Sequence, residues 1–431
     1  MDSRERKEWL ERYFDEHMEE ILSDLAEIIA IESIADEESE VKPFGEGSAR
    51  ALAWGERKLA ELGMVTKNFD NYVVRGDLRD GEESVLGILA HLDTVPVSSN
   101  WSFPPFELTQ KDGVLYGRGT IDDKGPAVAV LWAVRAVKEL GLNLKNLRVI
   151  FGGDEENGCR DMDYYVNCEK FPKNIFTPDG SFPVLNCEKG MIHLRFSGSF
   201  DGSGISSING GMAVNAIPDR CEVVTGGERK VFTGVSAHGS RPENGDNAVT
   251  RFLQEYDGDS GELAALRGLF PHGEYDGASC GLGFEDKVSG KMTCALTVLK
   301  LDGGTLSGGI DIRFPIDRSC GEILGIIRPK LEAAGFEVRV AEMKEPHYVD
   351  EDSEFVQTLL KVYEEVKGEK GWCIAEGGVT YVHDTPGAVA FGAEFPWEEN
   401  NMHGDDEHIT METFRLNLNM YANAIAEICG E

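Results

Sequence analysis

A chain of 431 residues is longer than one hydrophobic core ordinarily serves, so two compact lobes are expected, one inserted into the other. With 41% hydrophobic and 28% charged residues, the composition suits a soluble globular protein and argues against a disordered or membrane-spanning one. Asp and Glu outnumber Lys and Arg by 77 to 42, and the formal charge of -35 repels phosphate backbones and anionic lipid, so neither nucleic acid nor a membrane is an expected partner.

The N-terminal stretch MDSRERKEWLERYFDEHMEE has no apolar signal core. Leu10, Phe14, Met18, Ile21, Leu25, Ile28 and Ile29 recur at helical spacing, which predicts one long amphipathic helix from about Glu5 to Ile31 with its stripe in the core. A buried strand follows at Ser84 to Ala90, then a helix from Ala127 to Leu140 with Pro126 at its first turn. Leu147 to Phe151 reads as a second strand and Ala388 to Phe391 as a later one. Strands alternating with helices predict an α/β fold with a mostly parallel sheet covered by helices.

From about Glu188 the texture changes. Extended runs at Met191 to Phe196 and Met292 to Val298, with helices at Asn247 to Tyr256 and Gly321 to Ala334, predict an α+β lobe; Pro329 would kink the second of these helices. Helical spacing resumes at Phe355, Leu359, Leu360 and Tyr363. The expected domains are 1–187 with 347–431, interrupted by an inserted lid at 188–346. Nine cysteines, odd in number and without a C-x-x-C pair, argue against a disulfide framework or thiolate zinc site and favour a reducing cytoplasm.

Five segments carry residues that hold divalent metals: His91-Leu92-Asp93, Asp122-Asp123-Lys124-Gly125, Asp154-Glu155-Glu156-Asn157-Gly158, Thr177-Pro178-Asp179-Gly180 and Met402-His403-Gly404-Asp405. His91 directly follows a strand and Asp154 follows another after two glycines; ligands in open α/β sheets bind beyond the carboxyl ends of strands. Carboxylates and imidazoles together suit zinc, manganese or cobalt, and a carboxylate can bridge two ions where a histidine cannot. Asp122 or Asp123 is the candidate bridge. Of Glu155 and Glu156, one can bind metal while its neighbour moves a proton. Asp93 can accept the free ring N–H of His91.

The order and spacing of Ala90-His91-Leu92-Asp93-Thr94-Val95-Pro96, Leu115-Tyr116-Gly117-Arg118-Gly119-Thr120-Ile121-Asp122-Asp123-Lys124-Gly125 and the later segments resemble the M20 metallopeptidase family, within it the PepV-like (Xaa-His) dipeptidase branch, over nearly the whole chain. The resemblance implies one metal on His91, Asp122 and Asp179 and another on Asp122, Glu156 and His403, with Asp122 bridging. Two divalent ions are then expected, zinc first, with manganese or cobalt as substitutes. Glu155 would be general base and acid, and Asp93 would orient His91.

In the lid, Ser236-Ala237-His238-Gly239-Ser240-Arg241-Pro242 resembles the family segment whose histidine stabilises the oxyanion, giving His238 that role. Asn215 and Arg313 resemble the residues that hold a substrate carboxylate, a task a guanidinium suits; a structural ion pair is the other use of Arg313. Val379, His383 and Trp397 depart from the PepV-like pattern in segments bearing on side-chain preference. The implied function is hydrolysis of unblocked dipeptides, with a small peptide as partner. An N-acyl amino acid deacylase of the same superfamily and a non-catalytic metal-dependent binding protein are the alternatives. The long lid region favours a monomer over a homodimer.

Overall fold

The structure, a computed structural model, describes residues 2–36, 38–200, 204–258, 260–378 and 380–430. It divides into two compact units: Met1–Asn186, Val349–Ile374 and Thr380–Glu431 form the first, and Cys187–Tyr348 with Ala375–Val379 the second. The first opens with α1 (Ser3–Glu16), α2 (Met18–Ile29), α3 (Gly45–Glu61), β1 (Val65–Phe69), β2 (Val73–Asp77), β3 (Leu86–His91), β4 (Thr109–Lys111), β5 (Val114–Tyr116), α4 (Lys124–Glu139), β6 (Leu147–Gly152), α5 (Arg160–Tyr165) and β7 (Ile175–Thr177). β8 (Val184–Glu188) carries the chain into the second unit.

That unit contains β9 (Gly190–Ser199), β10 (Ile205–Gly210), β11 (Ala216–Ile217), β12 (Arg220–Thr225), β13 (Glu228–Thr233), β14 (Ala237–His238), α6 (Ala248–Glu255), α7 (Gly261–Leu269), β15 (Glu285–Asp286), β16 (Gly290–Lys291), β17 (Thr293–Asp302), β18 (Thr305–Phe314), α8 (Cys320–Ala333), β19 (Glu337–Lys344) and β20 (His347–Tyr348). The chain returns through α9 (Glu354–Lys367), β21 (Cys373–Glu376), α10 (Tyr381–Asp384), β22 (Ala388–Ala390), β23 (His408–Thr410) and α11 (Met411–Cys429).

The sheet of the first unit runs β1-β2-β6-β3-β7-β22-β8. Its four central strands, β6, β3, β7 and β22, are parallel. The expected mostly parallel sheet is therefore a mixed one: β1 and β2 flank it antiparallel on one side, β8 on the other. The reason is local. β1 and β2 are joined through Asp70 and Asn71, both at positive φ, in a connection too short for a crossover.

The predicted helix over 5–31 is two helices. At His17 the ring Nδ1 lies 2.8 Å from the Tyr13 carbonyl, and the imidazole stacks on the Tyr13 ring, so a side chain intrudes on the helical ladder where α1 gives way to α2. The apolar stripe survives the break: Leu10, Phe14, Ile21, Leu25, Ile28 and Ile29 are at most 1% exposed. Each such aliphatic or aromatic burial stabilises the fold by about 1.5–3 kcal/mol. α4, apolar on nearly all sides, packs against α2, α11 and β3.

In the second unit the antiparallel sheet β13-β12-β10-β17-β18-β9-β19 puts Ile192, Leu194, Phe196, Ile310, Ile312 and Phe314 into a core shared with α6, α7 and α8. The two-residue period sends His193, Asp311 and Arg313 to the opposite face. α8 runs through Pro329 and is started by a capping box of Ser319 and Glu322. Among the described residues no helix is long and apolar enough to cross a membrane.

Candidate metal centre and active site

β6, β3 and β7 are parallel neighbours, so their carboxyl ends meet at one edge of the sheet. His91 is the last residue of β3; Glu155 and Glu156 sit in a single 3-10 turn just after β6; Asp179 lies two residues beyond β7. Asp122 enters from the loop before α4 and His403 from the loop before β23. His403 has a φ of 61°, in a turn closed by the Gly404 N–H donating to the Asn401 carbonyl at 2.7 Å.

These side chains converge. His91 Nε2 lies 2.8 Å from Asp122 Oδ1 and 3.8 Å from Asp179 Oδ2. His403 Nε2 lies 2.7 Å from Asp122 Oδ2 and 3.2 Å from Glu156 Oε1. Two donor groups result, His91–Asp122–Asp179 and Asp122–Glu156–His403, each with ligand atoms within 4.8 Å of one another. The two adjacent aspartates differ in what they face: the two oxygens of Asp122 meet the two imidazoles, while Asp123 accepts the His91 backbone N–H at 3.1 Å.

Electrostatics describe the same crowding. Burial and the Asp122 charge push Asp179 up to about 7. Burial and the Asp179 charge raise Glu155 well above the usual carboxyl range, and burial with the Asp122 charge raises Glu156 less. Burial works against ionised Asp122, but its hydrogen bonds to His403 and His91 outweigh that and hold it low. Four clustered carboxylates face only two imidazoles. A pair of divalent cations fits this site: the donors are all nitrogen and oxygen, they form two sets sharing one carboxylate, and the excess negative charge is what such ions neutralise.

Asp93 does more than the sequence suggested. It is 1% exposed, its Oδ1 stands 3.4 Å from His91 Nδ1, and its two oxygens accept the backbone N–H groups of Glu155 at 3.2 Å and Glu156 at 3.1 Å. The Asp93 backbone carbonyl lies closer to His91 Nδ1, at 3.1 Å, so this one residue meets the far side of the imidazole and its carboxylate holds the glutamate turn.

In the second unit β11 and β14 pair Ala216 with His238, and the Gly239 N–H donates to the Asn215 carbonyl at 2.6 Å, so Asn215 and His238 are close neighbours. Both are exposed, and His238 Nδ1 lies 2.7 Å from Ser240 Oγ. Arg313 is 3% exposed and forks onto Asp311, with Nε to Oδ1 and Nη2 to Oδ2 both at 2.9 Å; its Nη1 donates to the Gly377 carbonyl at 2.7 Å. His193 joins them with Nε2 3.0 Å from Asp311 Oδ2 and Nδ1 3.2 Å from Glu342 Oε2. Of the three departures from the PepV-like pattern, Val379 lies outside the described residues, His383 is in α10, and Trp397 is 56% exposed and stacks on Phe395.

Residues 87–427, the span carrying every donor of both groups, match peptidase family M20/M25/M40. The chain belongs to that family. It is 32% identical to "Putative dipeptidase YtjP" of Bacillus subtilis (strain 168), over 95% of this chain and 97% of that protein. Its fold is similar to human carnosine dipeptidase 1, with a TM-score of 0.65 at 17% identity over 98% of each chain, and to the dipeptidase Dug1p of Saccharomyces cerevisiae, with a TM-score of 0.64 at 14% identity over 98% of each chain.

Two residues of this M20 chain that sequence reasoning passed over also shape the site. Asp161 is fully buried; its Oδ2 accepts the N–H groups of Gly153 at 2.7 Å and Asp154 at 3.0 Å and the hydroxyl of Tyr381. Tyr381, also fully buried, lies edge-on to the His91 ring at 6.3 Å. Gly152 permits this approach: a Cβ there would stand 2.0 Å from the Tyr381 hydroxyl oxygen. A second glycine before the acidic turn was the legible signal of a close approach.

Proposed function

We propose that this M20 family member is a dinuclear-metal dipeptidase that cleaves unblocked dipeptides. The observation that carries the reading is the pair of donor groups sharing Asp122, with Glu155 next in sequence to Glu156 and its carboxyl under the charge of Asp179. The names of the curated relatives support a dipeptide over other amides. Bound divalent ions, zinc first and manganese or cobalt as substitutes, would acidify a water and polarise the scissile carbonyl.

Around them the chain's own residues divide the work. Glu155, whose carboxyl burial and the Asp179 charge raise well above its ordinary range, takes the proton of the attacking water and returns it to the leaving nitrogen. His91, Asp122, Asp179, Glu156 and His403 are the proposed ligands, and Asp93 holds His91 and the Glu155–Glu156 turn in register. We assign oxyanion stabilisation to His238, and recognition of the substrate carboxylate to Asn215 and Arg313, on the family resemblance of their segments. For Arg313 the task would fall to N–H groups beyond those held by Asp311 and the Gly377 carbonyl. Residues 1–187 and 347–431 would be the catalytic domain and 188–346 the lid, although Ala375–Val379 group with the second unit, and the chain would act as a monomer in the cytoplasm.

Glu155→Gln tests the assignment. Dipeptide turnover should fall by at least about 10²-fold, the lower range for a general acid–base group, while the zinc content of the reconstituted protein stays at the wild-type value. Near-normal turnover would remove Glu155 from the reaction. A panel of dipeptides against N-acyl amino acids separates the dipeptidase from a deacylase.

A further inference from the structure

We propose that Arg118 and Glu407 form a positioning pair that ties the loop of Asp122 to the loop of His403, setting the ligands of the Asp122–Glu156–His403 ion before it binds; this rests on the metal-site reading above. Glu407 is fully buried and Arg118 is 1% exposed. One oxygen of Glu407 accepts the backbone N–H groups of Gly119 at 2.9 Å, Ile121 at 3.2 Å and Asp122 itself at 3.4 Å. The other accepts Arg118 Nη1. From there Arg118 Nη2 donates to the carbonyl of Gly404, next to His403, at 3.1 Å and to that of Pro96 at 3.4 Å. Trp101 packs over the guanidinium, 5.1 Å from ring centroid to Cζ.

The frame beneath the pair is firm. β23 pairs with β5 so that His408 stands opposite Tyr116, and the Gly117 N–H donates to the Glu407 carbonyl at 3.1 Å. Glu407 and Arg118 are thus brought face to face by the ladder. A buried ion pair is weak evidence for stability alone, and its energetic effect here is directed: apart from each other, the two side chains hydrogen-bond to backbone of a ligand-bearing loop or of the segment after His91. His91 and Asp179, placed by the ends of β3 and β7, receive none of these bonds. Asp122 belongs to both donor groups, so the pair reaches both ions through it, but only the second also draws on the loop of His403; the pair therefore acts unequally on the two ions.

The test uses the full chain stripped of metal and titrated with zinc against a competing chelator, with bound zinc counted by mass spectrometry. Wild type should bind two ions. In Arg118→Lys, whose ammonium keeps the charge but cannot span Glu407, Gly404 and Pro96 together, and in Glu407→Gln, one step should weaken about 10–100-fold, the range for residues that orient metal ligands, and the other, which shares only Asp122, should weaken less. Unchanged titrations, or equal weakening of both steps, would overturn the pair's role. Wild type binding fewer than two ions would overturn the metal-site reading as well, so the two failures are distinct. Should both variants misfold, hydrogen exchange in metal-free wild type decides: the peptide covering residues 117–122 should be protected before zinc is added, and exchange as fast as an open loop would refute preorganisation.

Discussion

Asp93→Asn isolates what one carboxylate does for the site. Its two oxygens accept the N–H groups of Glu155 and Glu156 at 3.2 and 3.1 Å, and hydrogen bonds to a charged acceptor contribute about 1.5–3 kcal/mol each. Asparagine keeps one oxygen and turns an NH2 toward the other N–H, so one bond is lost and two donors face each other. A loss of about 2 kcal/mol in holding the turn, expressed at the transition state, corresponds to a roughly 30-fold fall in kcat/KM. The assay is steady-state hydrolysis of a dipeptide by zinc-reconstituted protein, with zinc content measured in parallel. Activity within twofold of wild type, at equal zinc content, would refute the claim that Asp93 holds the glutamate turn.

Gly152→Ala would place a methyl 2.0 Å from the Tyr381 hydroxyl oxygen and 2.4 Å from Asp161 Oδ2; overpacking of this kind costs about 1–3 kcal/mol, visible as a lower denaturation midpoint. Gly325→Ala in α8, with open space around the new methyl, should instead leave the midpoint unchanged or slightly raised. In the second unit burial works to lower the His193 pKa, but hydrogen bonds to Asp311 and Glu342 outweigh it and raise it above its ordinary value. A raised folded-state pKa means the stabilisation is full below about 6.5 and is lost as pH rises through the folded value. The stability gap between wild type and His193→Gln should therefore narrow from pH 6 to pH 9 in urea melts; a gap that widens would refute the sign.

Much of the first unit was legible because its signals are local. β3, α4 and β6 are continuous apolar runs, and the five acidic and histidine segments stand beside them in a spacing that few chains share by accident. The break at His17 was not legible, because the apolar stripe continues through it and only a side chain's approach to the Tyr13 carbonyl marks it. The antiparallel flank was signalled by Asp70-Asn71, a pair that tolerates positive φ, but the flanking strands are short and β1 is half-exposed.

Glu407 shows the limit most clearly. In the run Asp405-Asp406-Glu407 it reads as solvated surface, yet it is fully buried because Arg118, hundreds of residues earlier, lies opposite it across the β5–β23 ladder. Asp161 and Tyr381 are the same case, as are His193 and Asp311, which meet across two strands.

The sequence by itself determined the kinds of donor, their order and their association with strand ends, because metal-binding chemistry and hydrophobic periodicity are written in residue type and spacing. Only the tertiary structure decided that Asp122 rather than Asp123 faces both histidines, that Asp93 holds the glutamate turn, and that Arg313 is already forked onto Asp311. Those outcomes depend on which backbone groups and charges arrive from distant segments, and burial makes each unpaired charge costly enough that the arriving partner sets the role.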